Sequence, residues 1–181
     1  MARVPYTAPD DVPAEHRDLL VSALQDRPLN VYRALGNNPA VLAGLRGFLS
    51  SLWADTGLSE RERELVILAT AREVGNEYEW HQHVRIARGI GIPHDEVAAI
   101  GAGDFAPFEG HEAALLAYAR ATLRGEVDDD RHDAVAGAFD DATAVGVAAL
   151  AEGYAALGGV IDALDVELED GEAFVGWDPR E

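Results

Sequence analysis

The stretch Ser59-Glu-Arg-Glu62-Arg-Glu64-Leu-Val-Ile-Leu-Ala-Thr-Ala-Arg72-Glu-Val-Gly75-Asn76-Glu-Tyr-Glu79-Trp-His81-Gln-His83 decides how this chain folds. Ser59 followed three residues later by Glu62 is a capping box, so a helix starts there. Gly75 interrupts that helix, and Asn76-Glu-Tyr-Glu79 reads as a second capping box that opens the next one. Glu79 and His83 are then one helical turn apart on the same face. His81 lies roughly 160° around that helix from His83, so the two rings cannot face one site. Glu64 sits in the preceding helix beside a buried stripe marked by Leu65, Leu68 and Ala69. A carboxylate placed there is a proton carrier near neutral pH if burial raises its pKa.

Working outward, the same logic predicts helices along the rest of the chain. On the N-terminal side, Asp11 and Pro13 open a helix through about Gln25, and Arg27-Pro28 restarts a short one ending near Gly36. Asn38-Pro39 caps a third, in which Val41, Leu42, Leu45, Phe48, Leu49 and Leu52 recur at helical spacing and are expected in the core. On the C-terminal side, Ile92-Pro-His-Asp-Glu starts a short helix that stops near Gly101, and a loop runs to Gly110. Further helices are expected over 112–124, 130–138 and 140–164. The last contains Gly146, Gly153, Gly158 and Gly159, whose helix-weakening effect of about 1 kcal/mol each is offset by close packing or a subunit contact. The reading is all-α, an antiparallel helical bundle in a single domain spanning 1–181. It has N-terminal helices over 11–36, a core over 39–164 and an irregular acidic tail over 165–181, expected to lie across a neighbour.

Composition narrows the partners. The net charge is −19, from 33 acidic residues against 14 basic ones, and every basic residue is Arg. A field of that sign disfavours nucleic acid and anionic membranes, both of which need a basic surface. Acid excess without lysine points to adaptation to high salt, where self-repulsion is screened within about 3 Å at 1 M. Stability is therefore expected to rise with salt, and a melting temperature unchanged from dilute buffer to molar salt refutes that reading. The absence of cysteine removes disulfides, thiolate metal sites and thiol redox cycles. No run of 18 apolar residues and no apolar signal core is present, so a cytoplasmic protein is expected.

The Glu64-to-His83 block resembles the carboxymuconolactone decarboxylase and alkylhydroperoxidase D-like family, whose signature is a Glu followed twelve residues later by Cys-x-x-Cys-x-x-x-His. Glu64 and His83 match the Glu and the His, while Asn76 and Glu79 stand where the cysteines would be. The Gly-Ile-Pro-His-Asp-Glu-Val turn and the terminal apolar helix match as well. The resemblance implies an all-α fold, assembly as a trimer or hexamer and an active site near a subunit interface. It points to the cysteine-free, decarboxylase-like branch, whose reaction removes CO₂ from a carboxylated muconolactone, and not to thiol peroxidase chemistry.

From this follow the expected roles. His83 is the proton donor, Glu64 its tuning or relay partner, and Glu79 completes the catalytic group. Arg72, Asn76 and Arg85 are the expected substrate contacts, with Arg72 or Arg85 anchoring a carboxylate through a bidentate contact. No cofactor and no metal are expected, because no His-x-x-x-His or Asp-rich pattern accompanies the single His. The leading reading is an acid–base lyase or isomerase on a small lactone or related carboxylated carbonyl compound. A different enzyme with a similar pocket and a non-enzymatic small-molecule-binding oligomer are the alternatives. The competing reading of Glu79 and His83 themselves is a helix-capping carboxylate beside a surface histidine.

Overall fold

Helix α3 (Glu60–Val74) is the axis of the fold in the computed structural model, which describes residues 1–180. Its residues from Leu65 to Ala71 are all buried, which requires neighbours on every side. Those neighbours are α4 (Glu77–Gly89), α5 (His94–Ala102), α6 (Gly110–Arg124) and α8 (Asp141–Leu164). Helices α1 (Asn30–Leu35), α2 (Pro39–Ala54) and α7 (Asp129–Ala138) complete the bundle. One apolar cluster gathers Leu42, Leu49, Val66, Ile67, Val147 and Leu150, and a second gathers Leu65, Leu68, Trp80, Val84, Val97 and Ile100. The α3–α4 junction therefore stands between two cores.

Sequence signals and structure agree closely at the helix ends. Ser59 Oγ accepts from the Glu62 amide, and Glu62 Oε2 accepts from the Ser59 amide at 2.7 Å. Gly75 ends α3 in the left-handed conformation, φ 72°, where a side chain would be strained. The N-terminal expectation is corrected. Instead of a helix from Asp11 to Gln25, the chain forms 3-10 turns over Pro9–Asp11 and Ala14–Leu20, then a small antiparallel pair of β1 (Val21–Ser22) with β2 (Arg27–Pro28). Leu20 and Leu29 are buried at either end of this pair. Their docking on the bundle overrides local helix preference, as tertiary packing commonly does.

In α2, Leu42, Leu49 and Leu52 are buried as expected, but Val41 and Phe48 are exposed, so the core stripe is narrower than the sequence suggests. Helix α8 is long and apolar enough to cross a membrane by length and composition, and half of that window is buried inside the bundle. Its glycines explain the packing. A Cβ at Gly146 would lie 2.9 Å from Thr56, and one at Gly153 would lie 2.8 Å from Leu52 and Phe48. These faces are occupied by the chain itself, which removes them from the surface available to a second subunit.

The tail, expected to be irregular, crosses α4 of its own chain. Trp80 Nε1 donates to Gly176 O at 2.8 Å, the Trp80 and Trp177 rings lie 5.2 Å apart, and Phe174 meets Trp177 edge-on. Further along α4, Glu172 accepts from Arg27 and Arg85 and contacts His81. Partial burial opposes ionisation of Glu172, but the two guanidinium groups hold its carboxyl down to about 2. Glu181, the last residue of the expected tail, lies outside the described residues.

Candidate functional site

A concentration of buried charge at the α3–α4 junction begins with how α4 starts. Asn76 Oδ1 accepts from the Glu79 amide at 2.8 Å, so Asn76 is the N-cap. The expected return bond from the Glu79 carboxylate to the Asn76 amide is absent, for a clear reason. The left-handed Gly75 sends the Asn76 N–H back to Ala71 O at 2.9 Å, the longer bond of a Schellman turn. With that donor satisfied, Glu79 has nothing to cap and its carboxylate is free to turn along α4.

It turns toward His83. Glu79 Oε2 lies 3.6 Å from His83 Nε2, and His83 Nδ1 bonds Glu64 Oε2 at 2.9 Å. Since a carboxylate can only accept, Nδ1 carries a proton and Nε2 is left to exchange one. Glu64, Glu79 and His83 are 1%, 5% and 4% exposed, respectively. The capping-plus-surface reading of Glu79 and His83 is thereby replaced by a buried Glu–His–Glu array. His81 points away and contacts Glu172, as its position on the helix requires.

Burial sets the electrostatics. Desolvation pushes the Glu79 carboxyl up to about 7. The His83 charge opposes that shift, and the negative charges of Glu64 and Glu169 add to it. Burial pulls the His83 imidazole down, but the charge and hydrogen bond of Glu64, with help from Glu79, outweigh it and hold the imidazole above its ordinary value. A carboxyl that exchanges its proton near neutrality thus lies beside an imidazole held above its ordinary value, a pairing suited to general acid–base work.

Glu79 and His83 open onto a cavity of about 220 Å³, larger than the roughly 150 Å³ apolar cavities that admit benzene. Glu64 lies behind His83 and is not part of the wall. The lining also includes Tyr32, Arg46, Trp53 and Tyr154, with the β1–β2 turn, Ala23 to Gln25, at the rim. The His83 ring meets Tyr154 edge-on at 5.2 Å, and the Tyr154 hydroxyl accepts from Trp53 Nε1 at 2.8 Å. The rim is tied down where Gln25 Nε2 donates to Gln82 Oε1 at 2.8 Å. Arg46 stacks 4.2 Å above the Tyr32 ring and donates one N–H to Val21 O at 3.1 Å.

The three expected substrate contacts lie away from this cavity. Arg72 donates to Gly101 O at 2.6 Å and lies over the Trp177 ring, so the second core holds it. Arg85 pairs with Glu172 of the tail at 2.6 Å. Asn76, besides capping α4, donates to Gly158 O and Asp162 Oδ1 of α8 at 3.1 and 2.9 Å. None of the three lines the cavity. Sequence reasoning missed Arg46, although a signal existed. It falls four residues after Leu42 and three before Leu49, a charged residue at apolar helical spacing. Among the described residues, no group of three or more His, Cys, Asp or Glu side chains is arranged to hold a metal ion.

Residues 39–122 match the Carboxymuconolactone decarboxylase family. The fold is similar to that of an alkylhydroperoxidase AhpD core, an uncharacterized peroxidase-related protein from Ralstonia eutropha JMP134. That likeness has TM-score 0.82 and 19% identity, covering 98% of this chain and 96% of that one. An uncharacterized peroxidase-related protein from Silicibacter sp. TM1040 is similar at TM-score 0.78 and 17% identity, covering 97% and 95%. The debrominase Bmp8, bound to 2,3,4-tribromopyrrole, is similar at TM-score 0.69 and 19% identity, covering 79% and 78%. At these identities the likeness is one of fold. No curated protein matches the chain in sequence.

Proposed function

We propose that the chain, whose residues 39–122 match the Carboxymuconolactone decarboxylase family, is a cysteine-independent acid–base lyase or isomerase acting on a small lactone or related carboxylated carbonyl compound. The observation that carries this reading is His83 held between two buried carboxylates, with Nε2 and Glu79 at the wall of a cavity. Without cysteine, a thiolate cannot begin a peroxidase or reductive dehalogenase cycle here, whereas proton transfer needs only the groups present.

In either reaction an electron pair moves onto a carbonyl oxygen and a carbon is then protonated. For a lyase the pair comes from the C–COO⁻ bond as CO₂ leaves, and for an isomerase it comes from a C–H bond whose proton is taken by the enzyme. His83 Nε2 and Glu79 are the groups in place to exchange that proton. Glu64 is a positioning residue, fixing the His83 tautomer and stabilising the imidazolium when it forms. The tyrosine hydroxyls of the cavity lining suit the developing oxyanion. Burial holds the Tyr32 and Tyr154 phenols above their ordinary pKa, so they remain protonated donors.

The test is incubation of the pure protein with a panel of unsaturated lactone carboxylates in D₂O. Deuterium incorporation at a ring carbon, with or without CO₂ release, is expected. Exchange in neither product nor recovered substrate across the panel, together with thiol-independent turnover of an alkyl hydroperoxide, overturns the reading.

A further inference from the structure

The wall of the cavity that His83 lines carries a cation with no ion-pair partner among the described residues. In a chain of net charge −19, arginines are scarce and most are engaged with carboxylates, as Arg27, Arg61, Arg85, Arg120 and Arg124 are. Arg46 forms no ion pair among the described residues. It lies at the cavity wall, partly buried, with its guanidinium carbon 4.2 Å from the centre of the Tyr32 ring, close enough to act on the Tyr32 hydroxyl, and one N–H given to Val21 O. A guanidinium has five N–H donors in a planar fork, so most of Arg46's hydrogen-bonding capacity is unspent and a two-pronged face remains for an anion. Contact with Tyr32 restricts the side chain, which lowers the entropy lost when an anion binds.

We propose that Arg46 is the anion-recognition residue of this cavity, and that the ligand is a monocyclic compound bearing a single carboxylate. Size sets the ring count, since about 220 Å³ suits one small ring and its substituents. Charge sets the carboxylate count. Arg46 is the sole guanidinium on the wall, which also holds Glu79, with Glu64 behind His83. A second carboxylate on the ligand would be desolvated against like charge with no partner. The site therefore departs from a dicarboxylated muconolactone. The inference builds on the acid–base reading and narrows it. A carboxylate clamped by Arg46 is stabilised in the ground state and stays on the ring, so the proton chemistry across the cavity shifts a double bond. A C–H bond breaks with its proton passing to Glu79 or His83 Nε2, and a C–H bond forms at the far carbon, with no CO₂ lost.

Equilibrium binding separates this inference from catalysis. Isothermal titration of the full chain with benzoate, methyl benzoate and phthalate in one buffer is expected to show benzoate bound and the other two at least about tenfold weaker, the scale of one charge-assisted hydrogen-bonded pair. Arg46→Gln is expected to weaken benzoate about tenfold or more while leaving methyl benzoate unchanged, which shows the cavity still folded. Arg46→Lys should recover part of the loss. His83→Gln should still bind benzoate, so the anion site is measured whether or not turnover is found. Absence of benzoate binding, phthalate bound as tightly as benzoate, or benzoate affinity indifferent to Arg46→Gln overturns the proposal.

Discussion

Glutamine in place of His83 is expected to lower turnover about 10²–10⁴-fold, the usual worth of a positioned proton-transfer group, while the protein stays folded. Glutamine nearly keeps the volume of the ring and retains a donor that can reach Glu64, so the buried carboxylate is not left alone. What it loses is the second titratable nitrogen, the one 3.6 Å from Glu79. Kinetics and thermal unfolding measured on the same preparation decide the matter. Turnover within a few-fold of the parent, at unchanged melting temperature, would falsify the role given to His83.

Glu79→Gln should separate function from stability in opposite directions. The folded protein holds the Glu79 proton up to about pH 7, against 4.5 for the unconstrained side chain, so between those values the native state binds more protons than the unfolded one. Stability contributed by this group is complete below pH 4.5 and is lost as pH rises toward 7. The shift corresponds to at most about 3 kcal/mol. His83 acts with the same sign, since its raised pKa gives stability below its ordinary value that disappears as pH rises through the folded one. The neutral glutamine abolishes the Glu79 part of that loss. The variant should therefore gain on the parent steadily from pH 4.5 to 7 and be the more stable protein at pH 8, although inactive. Parallel stability curves for the two proteins over that range would show that Glu79 is not a buried, proton-holding carboxyl.

The part of the site that could be read in sequence is the part that is local. Ser59, Gly75 and Asn76 specify the ends of two helices through neighbours three to five residues away, and those ends bring Glu64 within bonding distance of His83. Even here one step was hidden. The Asn76 amide is claimed by the Schellman turn, and that claim is what converts Glu79 from an expected cap into a wall of the cavity. The rest depends on distant segments. Arg72 and Arg85 point toward the block in sequence, but Gly101, Trp177 and Glu172 engage them in the fold. Tyr32, Arg46 and Tyr154 come to the cavity from α1, α2 and α8, and no local periodicity encodes their meeting. The segment from Asp11 to Pro28 failed for a related reason. Its short apolar positions serve equally for a helix or for turns docked on the bundle, and the docking decided.

Asn76 also ties the order of synthesis to the acquisition of chemistry. Its side-chain amide holds the start of α4 against Asp162, 86 residues further along the chain, and Tyr154 on the same late helix braces the His83 ring. When the ribosome has released Glu64, Glu79 and His83, their anchor on α8 has yet to be made. During translation at about 5–20 residues per second, the emerging chain passes several seconds with its proton-transfer groups present but unfixed. A nascent or truncated polypeptide ending before α8 thus carries all three residues of the array without the support that sets their geometry, so the arrangement of the array arrives with α8.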